Sequence, residues 1–170
     1  IEEIGPWCRE QGILFMVDAA QSAGIFTIDA MEMAIDLLAV PGHKSLLGPT
    51  GTGFLFVHPD LVLRPLLYGG TGNFSQSTAQ PEEMPERLES GTLNTVGLAG
   101  LKAGLEFLES VGLAHVRAHE QELIGMLIEG LQEIEAVTLY GPLGTERHGG
   151  ALSFNIKNVD PSMLGFRLDR

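Results

Sequence analysis

The chain has 170 residues, of which 44% are hydrophobic and 19% are charged, a composition typical of a globular protein with an apolar core. Its formal net charge of -12 argues against binding to nucleic acid or to an anionic membrane surface. A single cysteine excludes an intrachain disulfide framework, and no apolar run is long enough to span a bilayer, so we expect a cytoplasmic protein.

The first part of the sequence predicts an α/β layer. Residues 1–11 carry apolar side chains at helical spacing, and Gly12 is a natural helix stop. Three apolar runs predict strands: residues 13–17, 37–40 and 52–57. Runs of this kind are typical of strands buried on both faces of a parallel sheet, with a short helix expected between the first two. Only a Gly- and Pro-rich loop precedes the third strand, so that strand is expected to be antiparallel to the second or in a neighbouring layer.

A long loop and a second set of elements follow. Residues 69–92 are rich in Gly, Ser, Thr, Pro and Glu without periodicity, and loops of this length are usually functional or linkers. The predicted elements beyond it are helices at 95–111 and 113–134, strands at 137–140 and 151–156, and a helix opened by Asp160-Pro161-Ser162.

The first of three polar clusters is Asp18-Ala19-Ala20-Gln21, directly after the first predicted strand. In open α/β sheets, ligands bind outside the carboxyl ends of the strands. An Asp that closes an apolar run is costly to bury as an anion and needs a partner. A simple turn or helix cap would also explain it.

The second cluster is Gly42-His43-Lys44-Ser45, followed by a glycine-rich stretch at residues 48–53. A lysine shielded from water at the end of a buried strand can present a neutral amine, which attacks aldehydes. The glycines would let the backbone approach a ligand closely, although a surface lysine in a glycine-rich hairpin is a simpler alternative.

The third cluster covers residues 87–94, in which Thr92 or Asn94 could cap the next helix. A helix start is also a suitable place for a phosphate.

Together, these clusters resemble the class V aminotransferase family, and within it the cysteine desulfurases. The matching stretches are residues 17–24, 42–53 and 89–94, and their order and spacing agree with the family over residues 1–112 and more loosely to the end. The resemblance implies a pyridoxal 5'-phosphate (PLP) cofactor. It also implies an α/β fold of the aspartate aminotransferase-like type (fold type I), with a large-domain portion and the start of an α+β small domain.

The resemblance also implies a role for each residue. Lys44 corresponds to the catalytic lysine that holds PLP as a Schiff base and moves protons at the substrate α-carbon. Asp18 corresponds to the carboxylate that pairs with the pyridinium nitrogen, and Gln21 to the amide that contacts the phenolic oxygen of the ring. His43 corresponds to a phosphate ligand, and Thr92 to the residue that reaches the phosphate of the partner subunit in a homodimer.

Two further segments bear on the phosphate. Gly69-Gly70-Thr71-Gly72 resembles the glycine-rich loop near the dimer interface. Many relatives have Ser or Thr at the position of Pro41, which has neither a hydroxyl nor an N–H. Either another donor substitutes for it, or phosphate binding is weaker in this chain.

The domain division expected from the resemblance has three parts. Residues 1–94 are the C-terminal half of the large PLP-binding domain, 95–112 an interdomain helix, and 113–170 the start of the truncated small domain. Because the chain begins and stops inside apparent helices, we expect an internal segment of a longer protein. The substrate-binding arginine and the nucleophilic cysteine of the family are expected outside it, so the isolated segment should be inactive toward cysteine.

The implied activity is desulfuration of L-cysteine to alanine and an enzyme persulfide, with a sulfur-acceptor protein as partner and a link to iron–sulfur cluster assembly. The alternatives are a selenocysteine lyase, an aminotransferase, or a non-catalytic phosphate-binding module. Cys8 does not match the family nucleophile and is expected to be a buried small hydrophobe. His115 and His119 have spacing that could bind a metal, but a solvated helix face explains them better, so no metal site is predicted.

Overall fold

The computed structural model describes residues 1–70, 72 and 77–169, and the chain divides into two compact units. The first unit comprises Ile1–Ala23 and Ile28–Glu106, and the second comprises Gly24–Thr27 and Phe107–Arg170. Within the described part of the chain, no helix is long and apolar enough to cross a membrane.

The first helix, α1 (Ile4–Glu10), ends as the sequence predicts. Gly12 has a φ of 66°, a backbone conformation that favours glycine because it has no side chain. The N–H of Ile13 donates to the carbonyl of Cys8 at 2.9 Å, and that of Gly12 donates to Arg9 at 3.2 Å. This pair of hydrogen bonds is a Schellman motif, which satisfies carbonyls that the last turn of a helix would leave unpaired.

Three strands form the sheet of the first unit: β1 (Met16–Asp18), β2 (Leu37–Pro41) and β3 (Gly53–Val57). Strands β1 and β2 are parallel, with Asp18 opposite Ala39, and β3 is antiparallel to β2. Both strand directions confirm the prediction. Because β1 and β2 are parallel neighbours, the residues that follow each strand leave the sheet at the same edge.

Burial of the first apolar run differs from the prediction of two buried faces. Val17 is 7% exposed, whereas Met16 is 56% exposed and Asp18 is also exposed. Successive side chains of a strand point to opposite faces, and only the face that carries Val17 meets the apolar core among the described residues. The other buried apolar side chains of this unit include Ala19, Ile35, Leu38, Val40, Leu46 and Leu101.

The short helix expected between β1 and β2 is absent, although every residue of that connection is described. Instead, Asp29 Oδ1 accepts the N–H groups of Met31 and Glu32 at 2.9 Å each and starts a single turn. That turn closes with Ala34 at a φ of 52°, while Ile35 N–H donates to the carbonyl of Ala30 at 2.8 Å. A left-handed residue cannot continue a right-handed helix, so the chain passes into β2 after one turn.

A long helix, α2 (Thr95–Val111), has residues in both units, and its bounds match the prediction. The second unit then contains α3, an antiparallel strand pair and a last helix: α3 (Leu113–Gln132), β4 (Val137–Tyr140), β5 (Ser153–Ile156) and α4 (Pro161–Leu168). Asp160 Oδ1 accepts the N–H groups of Ser162 at 2.9 Å and Met163 at 3.2 Å, which confirms Asp160 as the residue that opens α4.

One arginine connects α3 to the loop before β5 within the second unit. The guanidinium of Arg117 donates to the carbonyls of Thr145 at 3.0 Å, Glu146 at 2.9 Å and His148 at 2.5 Å. It also lies 4.4 Å from the centre of the Phe26 ring, at cation–π distance. Five fixed donors on one planar group make arginine suited to hold several carbonyls of one loop.

Candidate active site

Asp18 is the last residue of β1, and its carboxylate is exposed rather than buried. The expectation of a costly buried anion is therefore wrong, because the strand turns this side chain away from the core. Oδ1 accepts the N–H of Ala20 at 2.9 Å, the arrangement of an Asx turn. That bond orients the carboxylate, and within the described residues Oδ2 has no hydrogen-bond partner. Gln21 is exposed in the segment that follows.

Lys44 lies in a tight turn that follows β2. The N–H of Gly42 donates to the carbonyl of Thr52, and the N–H of Gly48 donates to the carbonyl of Gly42, both at 2.8 Å. Within the turn, the N–H of Leu47 donates to the carbonyl of Lys44 at 2.9 Å. The side chain of Lys44 is half-buried, and its amine makes no hydrogen bond or ion pair to any described residue. A partly shielded, unpaired amine is what a nucleophilic lysine requires.

Three of the glycines around this turn are required by packing inside the protein. A Cβ added to Gly48 would lie 2.8 Å from Leu101 Cδ1, and one added to Gly53 would lie 2.6 Å from the carbonyl oxygen of Val40. At Gly42, an added Cβ would overlap Thr52 Oγ1. These glycines let strand, turn and helix α2 approach one another, and their role in the approach of the backbone to a ligand stays a prediction.

The third cluster contains the cap of α2, and that cap is Asn94. Asn94 Oδ1 accepts the N–H of Gly97 at 3.0 Å, and its carbonyl accepts the N–H of Leu98 at 2.9 Å. Thr92 is exposed, and its hydroxyl makes no hydrogen bond within the described part of the chain. Thr92 is therefore not used to start the helix.

The glycine-rich loop lies beside the segment that carries Thr92. Gly91 N–H donates to the carbonyl of Gly70 at 2.7 Å. A Cβ added to Gly69 would lie 3.3 Å from Ser90 Cβ, so the two backbones are in close contact. Thr71, the third residue of that motif, lies outside the described residues.

The five predicted site residues all lie in the first unit, on two structural groups. Asp18 ends β1 and Gln21 follows it, while His43 and Lys44 follow β2. These two strands are adjacent and parallel, so the four residues lie at one edge of the sheet. Thr92 lies on the segment paired with Gly70. Among the described atoms, no hydrogen bond or ion pair joins any two of these five side chains. The sequence pattern provided no reason to single out Thr52, which nonetheless contacts both the lysine turn and α2.

The donor set fits PLP chemically. The Lys44 amine and one Asp18 carboxylate oxygen are unpaired among the described residues, and the Gln21 amide and His43 ring are exposed. An amine, an anion and two polar groups are what a charged heterocyclic aldehyde with a phosphate would need. The described residues contain no group of three or more His, Cys, Asp or Glu side chains that could hold a metal ion.

Comparison with known proteins identifies the family. The model of the class V aminotransferases matches residues 1–170. A probable cysteine desulfurase of Pyrococcus abyssi is 38% identical over 173 residues, which cover 99% of this chain and 43% of that relative. The apo structure of a cysteine desulfurase from Thermococcus onnurineus NA1 matches with a TM-score of 0.91 at 38% identity, covering 99% of this chain and 43% of that one. A cysteine desulfurase structure from Escherichia coli matches with a TM-score of 0.79 at 29% identity, covering 95% and 40%.

The chain thus spans less than half the length of these relatives. The fold predicted from the clusters is confirmed as a partial α/β fold of fold type I. Because the family model covers every residue, the chain belongs to the class V aminotransferase family.

Proposed function

We propose that the protein containing this chain is a PLP-dependent cysteine desulfurase, which converts L-cysteine to alanine and leaves the sulfur on the enzyme as a persulfide. The observation that supports it best is the parallel pairing of β1 and β2, because it brings Asp18 and Lys44 to one edge of the sheet. Lys44 is half-buried, and its amine has no competing partner among the described residues.

Each site residue then has a role toward the cofactor. Lys44 Nζ would hold it covalently, and the Asp18 carboxylate, oriented by the N–H of Ala20, would pair with the pyridinium nitrogen. Gln21 would contact the phenolic oxygen. When bound, PLP supplies an electron sink for negative charge that develops at the substrate α-carbon. Lys44 would carry the protons that leave and reach that carbon.

The phosphate needs donors other than the backbone groups of Pro41 and Gly42 at the end of β2. Pro41 has no N–H, and the N–H of Gly42 is already bonded to the carbonyl of Thr52. His43 is exposed beside the lysine, and Thr92 has a free hydroxyl within the described residues. We therefore assign His43 to the phosphate in its own subunit and Thr92 to the phosphate of the partner subunit.

The sulfur-accepting thiolate lies outside these 170 residues. Cys8 is 6% exposed on α1 and cannot reach a substrate without unfolding of that helix. A thiolate elsewhere in the enzyme attacks the cysteine sulfur, the C–S bond breaks, and the β-carbon takes a proton to complete alanine. A sulfur-acceptor protein then removes the persulfide sulfur. The isolated chain is expected to release no sulfide from L-cysteine.

Exposed apolar side chains support a proposal for the oligomeric state. Four apolar side chains near the glycine-rich loop are 71–96% exposed: Val62, Leu66, Leu67 and Tyr68. We call them the apolar strip and propose that a second copy of the chain covers them in a homodimer. The single cysteine supports a cytoplasmic location.

We also propose the domain division expected from the sequence. Residues 1–94 belong to the large domain, 95–112 form the interdomain helix, and 113–170 belong to the small domain.

Absorbance of the whole protein tests the proposal. With PLP the protein should be yellow, and borohydride should bleach it and fix the cofactor to residue 44. Lys44→Ala should abolish the colour and reduce turnover at least about 10³-fold, as expected for loss of a covalent catalytic group. Lys102→Ala is the matched control, because Lys102 is an exposed lysine on α2 paired with Glu106. A colourless wild-type protein in the presence of PLP would contradict the proposal.

A further inference from the structure

Three contacts join Thr52 to the lysine turn and the loop that follows it. Its carbonyl accepts the N–H of Gly42 at 2.8 Å, and its hydroxyl donates to the carbonyl of Pro49 at 2.6 Å. Its Oγ1 lies so close to Gly42 that any side chain there would overlap it. These contacts fix the loop at residues 49–52, which follows the lysine turn and closes it.

The methyl group of Thr52 reaches the first turn of α2. A Cβ added to Gly97 would lie 2.8 Å from Thr52 Cγ2, so the methyl packs directly against that glycine. Gly97 is also the residue whose N–H donates to Asn94 at the helix start. Thr92 lies two residues before Asn94. One side chain thus touches both the turn that carries Lys44 and the helix start that follows Thr92.

We propose that Thr52 is a positioning residue that sets the place of Lys44 relative to the start of α2, an inference that rests on the proposed function. Its hydroxyl sets the width of the loop at Pro49 and so the position of the lysine turn, while its methyl fills the space beside Gly97. The cofactor would be held by Lys44 on one side and by phosphate donors on the other, so a change in this spacing alters how its ring is oriented.

The expected loss of turnover in Thr52→Val can be estimated from contact distances. In Thr52→Val a methyl carbon replaces Oγ1, and a carbon prefers to lie at least about 3.3 Å from a carbonyl oxygen. The hydroxyl is 2.6 Å from Pro49 O, so the loop must open by roughly 0.7 Å. Misplacement of about 1 Å at an active site can reduce turnover by about 10²-fold, so we expect a fall of about 10- to 100-fold.

The experiment uses the whole enzyme loaded with PLP and compares Thr52→Val, Thr52→Ser and Thr50→Val. Thr50 is an exposed threonine in the same loop whose hydroxyl has no hydrogen bond among the described residues, so it is the matched control. The readouts are visible circular dichroism of the bound cofactor, which reports ring orientation, the yield of borohydride-fixed cofactor on Lys44, turnover, and the thermal midpoint.

We expect Thr52→Val to lower the visible ellipticity and turnover while its cofactor remains trapped on Lys44 and its thermal midpoint falls by no more than a few degrees. Thr52→Ser, which keeps the hydroxyl, should restore most of both signals. Thr50→Val should match wild type. The proposal is overturned if Thr52→Val has wild-type ellipticity, or if Thr52→Ser is as impaired as Thr52→Val. Absence of any trapped cofactor in wild type would instead refute the proposed function.

Discussion

The same substitution, glycine to alanine within a helix, should have opposite effects at Gly104 and Gly130. In an exposed helix interior alanine is favoured over glycine by about 1 kcal/mol. At Gly130 in α3 an added Cβ meets no atom within 4 Å, so Gly130→Ala should raise the free energy of unfolding by about 0.5–1 kcal/mol.

At Gly104 in α2 the surrounding atoms make the same substitution lower the free energy of unfolding. An added Cβ would lie 2.5 Å from the carbonyl oxygen of Leu46 and 3.0 Å from the carbonyl carbon of Leu47. These are backbone atoms of the segment just after Lys44, so neither can rotate away. The helix and the turn must separate by roughly 0.8 Å to reach an ordinary carbon–oxygen contact. Overpacking of this kind costs about 1–3 kcal/mol, which exceeds the gain in helix propensity, so Gly104→Ala should lower stability by about 1 kcal/mol.

Urea unfolding of the whole protein, followed by far-UV ellipticity, measures both changes in one assay. Gly104→Ala should also weaken the visible band of the bound cofactor, because the displaced turn carries Lys44, whereas Gly130→Ala should leave that band unchanged. If Gly104→Ala were as stable as Gly130→Ala, then α2 and the lysine turn would not be in close contact, and the reasoning would be refuted.

Two further predictions concern the start of α4 and the apolar strip. Asp160→Ala removes the acceptor for Ser162 and Met163 and should destabilise α4 by about 1 kcal/mol, seen as roughly fivefold faster hydrogen exchange in that helix, while Asp160→Asn keeps most of the protection. Unchanged exchange in Asp160→Ala would contradict this role. Leu66→Glu combined with Leu67→Glu should convert the proposed homodimer to a monomer in light scattering, because it buries charge at the interface. Met126→Glu, at a side chain 63% exposed on α3, is the control, and a double variant that stayed dimeric would exclude the strip from the interface.

Local signals in the sequence predicted most of the elements. The α1 helix stops at Gly12 and α4 starts at Asp160 because a left-handed glycine and a capping carboxylate act on backbone groups only a few residues away. The short connection before β3 likewise excluded a parallel crossover, which left β3 antiparallel to β2, as observed, or in a neighbouring layer. The polar clusters identified the family for a similar reason, because each motif is a short stretch whose residues adjoin in the chain.

The tertiary structure decided features that depend on atoms distant in sequence. Periodicity could not tell which face of β1 would be covered, and Met16 and Asp18 proved to be exposed. Composition alone allowed either Thr92 or Asn94 to cap α2, and the geometry at Gly97 selected Asn94.

The short helix expected before β2 was replaced by one turn that ends at Ala34 with a positive φ. Thr52 gained its importance from Pro49 and Gly97, which it contacts only in the folded chain. Hydrogen bonds to near neighbours leave a trace in the sequence, whereas packing between separate segments depends on how the whole chain folds, and so only coordinates reveal it.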